Sequence, residues 1–62
     1  MNICLQYKGL KVDDAIALSK TNKHVCRIVR EDVQRFVTDA TYFMSRVNFE
    51  VDNGIVTEVR LG

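Results

Sequence analysis

The sequence predicts an α+β domain: a single helix packed on a small mixed sheet, with a long loop between two parallel strands. Three observations carry this. One stretch, residues 12–22, repeats its apolar residues at the helical period. Several shorter runs are β-branched and alternate. Between two of those runs lies a polar segment, about 31–45, that follows no period and is long enough to return the chain. The strands on either side of it can therefore run parallel.

The elements follow in order. Ile3 to Tyr7 alternates, with Ile3, Leu5 and Tyr7 on one side, and predicts a short strand that Lys8-Gly9 ends. Val12, Ala15, Ile16 and Ser19 share one helical face, with Leu18 at its edge. Asp13 and Asp14 in the first turn and Lys20 and Lys23 near the end suit the helix dipole, and Asn22 is a stop residue. His24 to Arg30 is a β-branched run and predicts a buried strand. Strict alternation puts Cys26 and Ile28 on one face and Val25, Arg27 and Val29 on the other. His24 is expected at the surface, where that strand begins. Arg46 to Asp52 alternates strictly, Val47, Phe49 and Val51 against Asn48, Glu50 and Asp52. Asp52-Asn53-Gly54 signals a hairpin turn, because asparagine and glycine tolerate positive φ. Ile55 to Leu61 returns as its partner, with Ile55, Thr57, Val59 and Leu61 on one side. The helix is expected to cover one sheet face and leave the other open.

Composition narrows the function. The chain has 62 residues, 47% of them apolar and 27% charged, with a formal net charge of +1. That is one small domain, 1–62, with little material to wall an active-site cleft. Nine basic residues are offset by eight acidic ones, which disfavours an extended nucleic-acid groove. No apolar run approaches the roughly 20 residues of a membrane span. The first residues carry no signal-peptide pattern, so a cytoplasmic, reducing location is expected. Cys4 and Cys26 then pack as thiols, and a bridge between them requires the first two strands to lie side by side. There is no CxxC pair, and His24 has no ligand-spaced partner, so neither a metal site nor a cofactor is expected. No catalytic constellation appears. The adjacent carboxylates Asp13-Asp14 and Glu31-Asp32 do not share a face as an acid/base dyad would, and read as solvated charges. An enzyme, or a small-molecule substrate, is not expected. A long irregular segment in so small a domain points instead to function carried by a loop.

The segment Arg46-Val47-Asn48-Phe49-Glu50-Val51-Asp52, followed by Asn53-Gly54-Ile55-Val56 and Val59-Arg60-Leu61-Gly62, resembles the C-terminal half of potato inhibitor I proteins, above all their small bacterial and fungal elastase-inhibitor relatives. Gly9-Leu10-Lys11-Val12-Asp13-Asp14-Ala15 is similar to the start of that family's single helix, so the resemblance spans about 9–62. It implies that the loop is held extended, like a substrate, and enters the active site of a serine protease. A loop already fixed in its bound shape loses little entropy on docking. In the family, arginines from the following strand brace the loop carbonyls in place of disulfides.

Carried across, the resemblance makes Val37, Thr38, Asp39, Ala40, Thr41, Tyr42 and Phe43 the partner-binding loop. Thr38 is the hydroxyl residue that ties it down, and Tyr42 an aromatic position. Counting back from Arg46 puts the scissile bond at Ala40-Thr41; counting forward from Val37-Thr38 puts it at Asp39-Ala40. Arg46 matches a bracing arginine. The second brace is Asn48 here, as in the bacterial relatives. Phe43-Met44 stands where those relatives have arginine-proline, and 30–35 is a few residues longer. A serine protease is thus the first partner class. The alternative is a small protein of a phage or mobile element that uses the same loop, or the open sheet face, to inhibit another host protein. Phe36, Tyr42, Phe43 and Met44 either fold onto the core as loop residues or form an exposed apolar patch, which would suit either partner. A third reading, nucleic-acid binding through Arg27, Arg30 and Arg35, ranks below both. An open face and exposed strand edges also allow a homodimer.

Overall fold

The computed structural model describes residues 3–36 and 41–62. It has the predicted α+β architecture: one helix, α1 (Val12–Thr21), on a four-stranded mixed sheet. The strands are β1 (Val25–Glu31), β2 (Gln34–Arg35), β3 (Arg46–Asp52) and β4 (Ile55–Leu61), in the spatial order β2-β1-β3-β4. The β1–β3 pair is parallel; β1–β2 and β3–β4 are antiparallel. The core lies between α1 and the sheet. It holds Ala15 of α1, Val47, Phe49 and Val51 of β3, Val56 of β4, and Tyr7. Val12, Ile16 and Leu18 pack around it, so the helical face is the one the period predicted.

The ends of α1 are closed mostly by main chain. The Val12 N–H donates to the Gly54 carbonyl at 2.8 Å, which supplies a partner for one of the helix's orphan donors. At the other end Asn22 caps the helix and Lys23 turns left-handed at φ 60°. The Lys23 N–H reaches Lys20 O and the His24 N–H reaches Ser19 O, the paired bonds of a Schellman motif. Asn53 and Gly54 both take positive φ, 51° and 77°, as the predicted two-residue hairpin turn requires.

Several expectations are corrected. Ile3–Gln6 is a short 3-10 helix, not a strand. The outer edge of β4 is already taken: Gly9 N–H donates to Val56 O and Val56 N–H to Leu10 O, both at 2.8 Å. With that edge occupied, 3–6 coils back, exposing Leu5 and burying Tyr7 completely. Nor is His24 a plain surface residue. It is half-buried, and its Nδ1 shares a hydrogen bond with the Tyr7 hydroxyl at 2.6 Å. Asn22 Nδ2 donates to the same hydroxyl and to Gln6 Oε1. A buried phenol needs such partners, and Tyr7 on Phe49 is why this one is buried (ring centroids 5.4 Å apart).

Strict alternation also fails twice, each time at a bulge. In β1 the register jumps between Ile28 and Arg30, leaving Val29 as the extra residue. Arg30 therefore joins Arg27 on the helix-free face, opposite Glu50, instead of pointing into the core beside Ile28. In β4 the jump leaves out Thr57, so Val56 and Val59 face the core, and Ile55, Thr57, Val59 and Leu61 do not share one side. The segment 31–45 is not wholly irregular either: Glu31 pairs with Gln34 around a tight turn in which Asp32 takes φ 53°. Cys4 lies in the segment packed on β4 and Cys26 on β1, with β3 between them, and both are thiols.

Candidate functional site

Parallel pairing of β1 with β3 forces the chain to cross from one end of the sheet to the other after β2. Both ends of that crossing lie against the helix-free face. On departure, the Phe36 N–H donates to Val29 O. On return, Arg46 takes over. Its parity in β3 sets it on the same face as Asn48, Glu50 and Asp52.

Arg46 is only 8% exposed, although guanidinium groups are seldom buried. Its Nη2 donates to the Thr41 carbonyl at 2.5 Å and its Nε to the main-chain oxygen of Gly62 at 2.7 Å. Its guanidinium carbon lies 4.7 Å from the centre of the Phe43 ring. The Arg46 N–H reaches back to Phe43 O at 3.2 Å, closing a turn. One planar group thus ties the return limb 41–45 to the last residue of the hairpin. Gly62 is placed by the β4 bulge, and its N–H donates to Arg46 O. The Tyr42 ring lies over Gly62: a β-carbon there would stand 3.3 Å from Tyr42 Cδ2.

Asn48 acts one step away from the loop. Its Oδ1 accepts Arg27 Nε at 2.8 Å, and its Nδ2 donates to the main-chain oxygens of Arg60 and Gly62. It steadies Gly62, which Arg46 and Tyr42 use, and bonds no residue of 41–45 itself.

The helix-free face also carries an ion-pair cluster. Arg30 Nε meets Glu50 Oε1 at 2.7 Å, and Nη1 and Nη2 take the two Asp52 oxygens at 2.8 Å each. Arg30 Nη1 also donates to Asp32 O. Thr57 Oγ1 donates to Asp52 Oδ2 at 2.6 Å. The Arg30 bonds, then the Thr57 bond, hold the Asp52 carboxyl well below the usual carboxylate range. Arg30 lowers Glu50 as well, against the desolvation of its site, and the same two carboxylates raise Arg30 above its ordinary value. Asp32 Oδ1 accepts the Asn53 N–H, so the two hairpin turns are joined. The start of the 31–45 segment is thus tied to β3 and to the β3–β4 turn.

Of the loop residues the resemblance selects, Val37, Thr38, Asp39 and Ala40 lie outside the described residues, as do both candidate scissile bonds' acyl-side residues. Thr41, Tyr42 and Phe43 are exposed, as is Met44 at 81%. Phe43 and Arg46 join Val25 and Ser45 around a largely apolar notch of about 280 Å³. The sequence reading missed Gly62 and Val25. Gly62 was legible only to a count of hairpin register that included the Thr57 bulge. Val25 reads as part of a buried strand, but β2 covers only the other end of β1.

Among the described residues no group of His, Cys, Asp and Glu could hold a metal ion. Nor is any helix among the described residues long and apolar enough to cross a membrane. No protein-family model, curated protein or solved structure matches the chain.

Proposed function

We propose that this protein is a binding module that presents residues 36–44 to a partner protein, with a serine protease as the first partner class, in the substrate-like manner of potato inhibitor I proteins. The observation that supports this best is the Arg46 brace. A buried arginine that bonds the Thr41 carbonyl on one side and Gly62 on the other holds the return limb without a disulfide. Such a loop loses little entropy on docking. If it is cut, the anchors at Arg30 and Arg46 keep the new ends together and hinder their release. Burying a guanidinium merely to finish a strand would cost desolvation with nothing gained.

The test is incubation with elastase-, subtilisin- and acidic-residue-directed serine proteases, reading residual activity and the site of cleavage. Inhibition at micromolar concentration with slow cleavage between 36 and 45 is expected. Ala40 before the bond favours elastase or subtilisin; Asp39 there favours the acidic-residue enzyme. Rapid cutting with no inhibition of any enzyme overturns the reading.

A second reading keeps the loop and changes the partner. It is favoured by Tyr42, Phe43 and Met44, three exposed large apolar residues in succession beside exposed Val25. Aromatic residues and methionine are enriched in the centres of protein interfaces. A non-protease target would then bind this shoulder of the loop, and substitution of Phe43 and Met44 would abolish capture while leaving protease cleavage unchanged.

A further inference from the structure

The near-neutral net charge conceals a strong segregation. Every lysine, Lys8, Lys11, Lys20 and Lys23, lies before β1. Every arginine, Arg27, Arg30, Arg35, Arg46 and Arg60, comes at or after it, and bonding and register set them all on the helix-free face. The β1 bulge is what adds Arg30 to this set. Arginine offers a planar fork that matches carboxylates, where lysine offers a point charge.

Three of these arginines are engaged at hydrogen-bond distance: Arg27 by Asn48, Arg30 by Glu50 and Asp52, Arg46 by the loop and Gly62. Arg35 and Arg60 differ. Their side chains are 73% and 76% exposed, and both reach toward one carboxylate, Glu50, at 3.9 and 3.6 Å. Those distances are too long for hydrogen bonds. Glu50 already has its close partner in Arg30. Two guanidinium groups therefore converge on a single locus with their donors unspent among the described residues. Between them opens a cavity of about 320 Å³ with Glu50 and Asn48 on its floor and Val29, Phe36 and Leu61 in its walls.

We infer that this groove is a second docking site, and that its occupant is a segment of a partner protein carrying an acidic side chain beside an apolar one. The carboxylate would lie between Arg35 and Arg60, and the apolar side chain against Val29 and Phe36. Charge complementarity fixes the sign of the partner. The convergence of two arginines on one point, over a buried glutamate and between apolar walls, fits a single carboxylate better than a run of phosphates, which needs cations spaced along a track. The inference does not depend on whether the loop enters a protease.

The experiment is an amide-resonance titration of the full chain, ¹⁵N-labelled, with an octapeptide of alternating glutamate and leucine. A lysine–leucine octapeptide and an oligothymidylate of matching charge serve as the other arms. Saturable shifts at Phe36, Asn48, Glu50 and Leu61 with the acidic peptide are expected. The paired change R35Q and R60Q, at exposed positions, should keep the melting curve and weaken that binding by about tenfold or more. Absence of saturable shifts at millimolar peptide overturns the inference. So does equal binding of the basic peptide, tighter binding of the oligothymidylate at the same residues, or unchanged affinity in the double variant.

Discussion

Arg46 shows how one side chain can stand in for a cross-link. Its guanidinium touches Thr41 and Phe43 of the return limb and Gly62, which is remote from both along the chain, and its burial keeps water from competing for those bonds. Arg46→Ala should therefore free the return limb. Limited proteolysis between 36 and 45 should speed up by about tenfold or more, while the melting transition remains cooperative. Arg46→Lys should recover little, since a single ammonium cannot reach both carbonyls in the fork geometry. On the same sheet face, Glu50 and Asp52 have folded-state pKa values lowered by Arg30. A lowered carboxylate stabilises the fold above its unfolded pKa, about 4, and that contribution is lost as pH falls through the folded value. Stability measured by denaturant should thus decline below about pH 4. Asp52→Asn should cost stability near pH 7, with the gap to the parent narrowing toward about pH 2.5. Arg46 could be selected from the sequence by resemblance alone. Nothing in the string of residues distinguishes it from a strand-end charge, because Thr41 and Gly62 receive its bonds through main-chain oxygens, which every residue carries.

At the scale of elements, the parts with the strongest local signals are those the sequence predicted. The helix face, the strand Arg46–Asp52 and the Asn53-Gly54 turn all follow from a period or from turn chemistry, which are local. The misses have non-local causes. Ile3–Gln6 alternates like a strand, but Gly9 and Leu10 occupy the β4 edge it would need. The bulges at Val29 and Thr57 are settled by what lies opposite: Glu50 and Asp52 draw Arg30 and Thr57 to their face. His24 looked solvated because its partner Tyr7 is 17 residues away. One element-level feature is open to improvement. Lys23 holds a left-handed φ of 60° at the end of α1, a conformation that costs a side chain about 1 kcal/mol relative to glycine. Lys23→Gly should raise stability by roughly that amount, seen as a rise of about 4–8 °C in the melting temperature. A fall would mean that the lysine's charge at the helix end outweighs the backbone term.

For the molecule as a whole, the division of labour runs through the sheet. One face meets α1 and is apolar. The other carries every arginine and both ends of the loop, so the side that packs the core and the side that anchors the loop are separate. That separation is why a small chain can spare a long excursion: the fold rests on β3, whose neighbours on either side are strands, and the loop need only be held at its two ends. Arg30 does so at departure and Arg46 on return. Such holding is proposed to make the loop a slow substrate. It is tested most directly by following, in the same tubes, loop cleavage by mass spectrometry and the residual activity of a subtilisin-type protease. Loss of protease activity at micromolar protein is expected, while the chain stays largely intact between residues 36 and 45. Full protease activity throughout, with the loop cut as fast as an unstructured peptide, would contradict it.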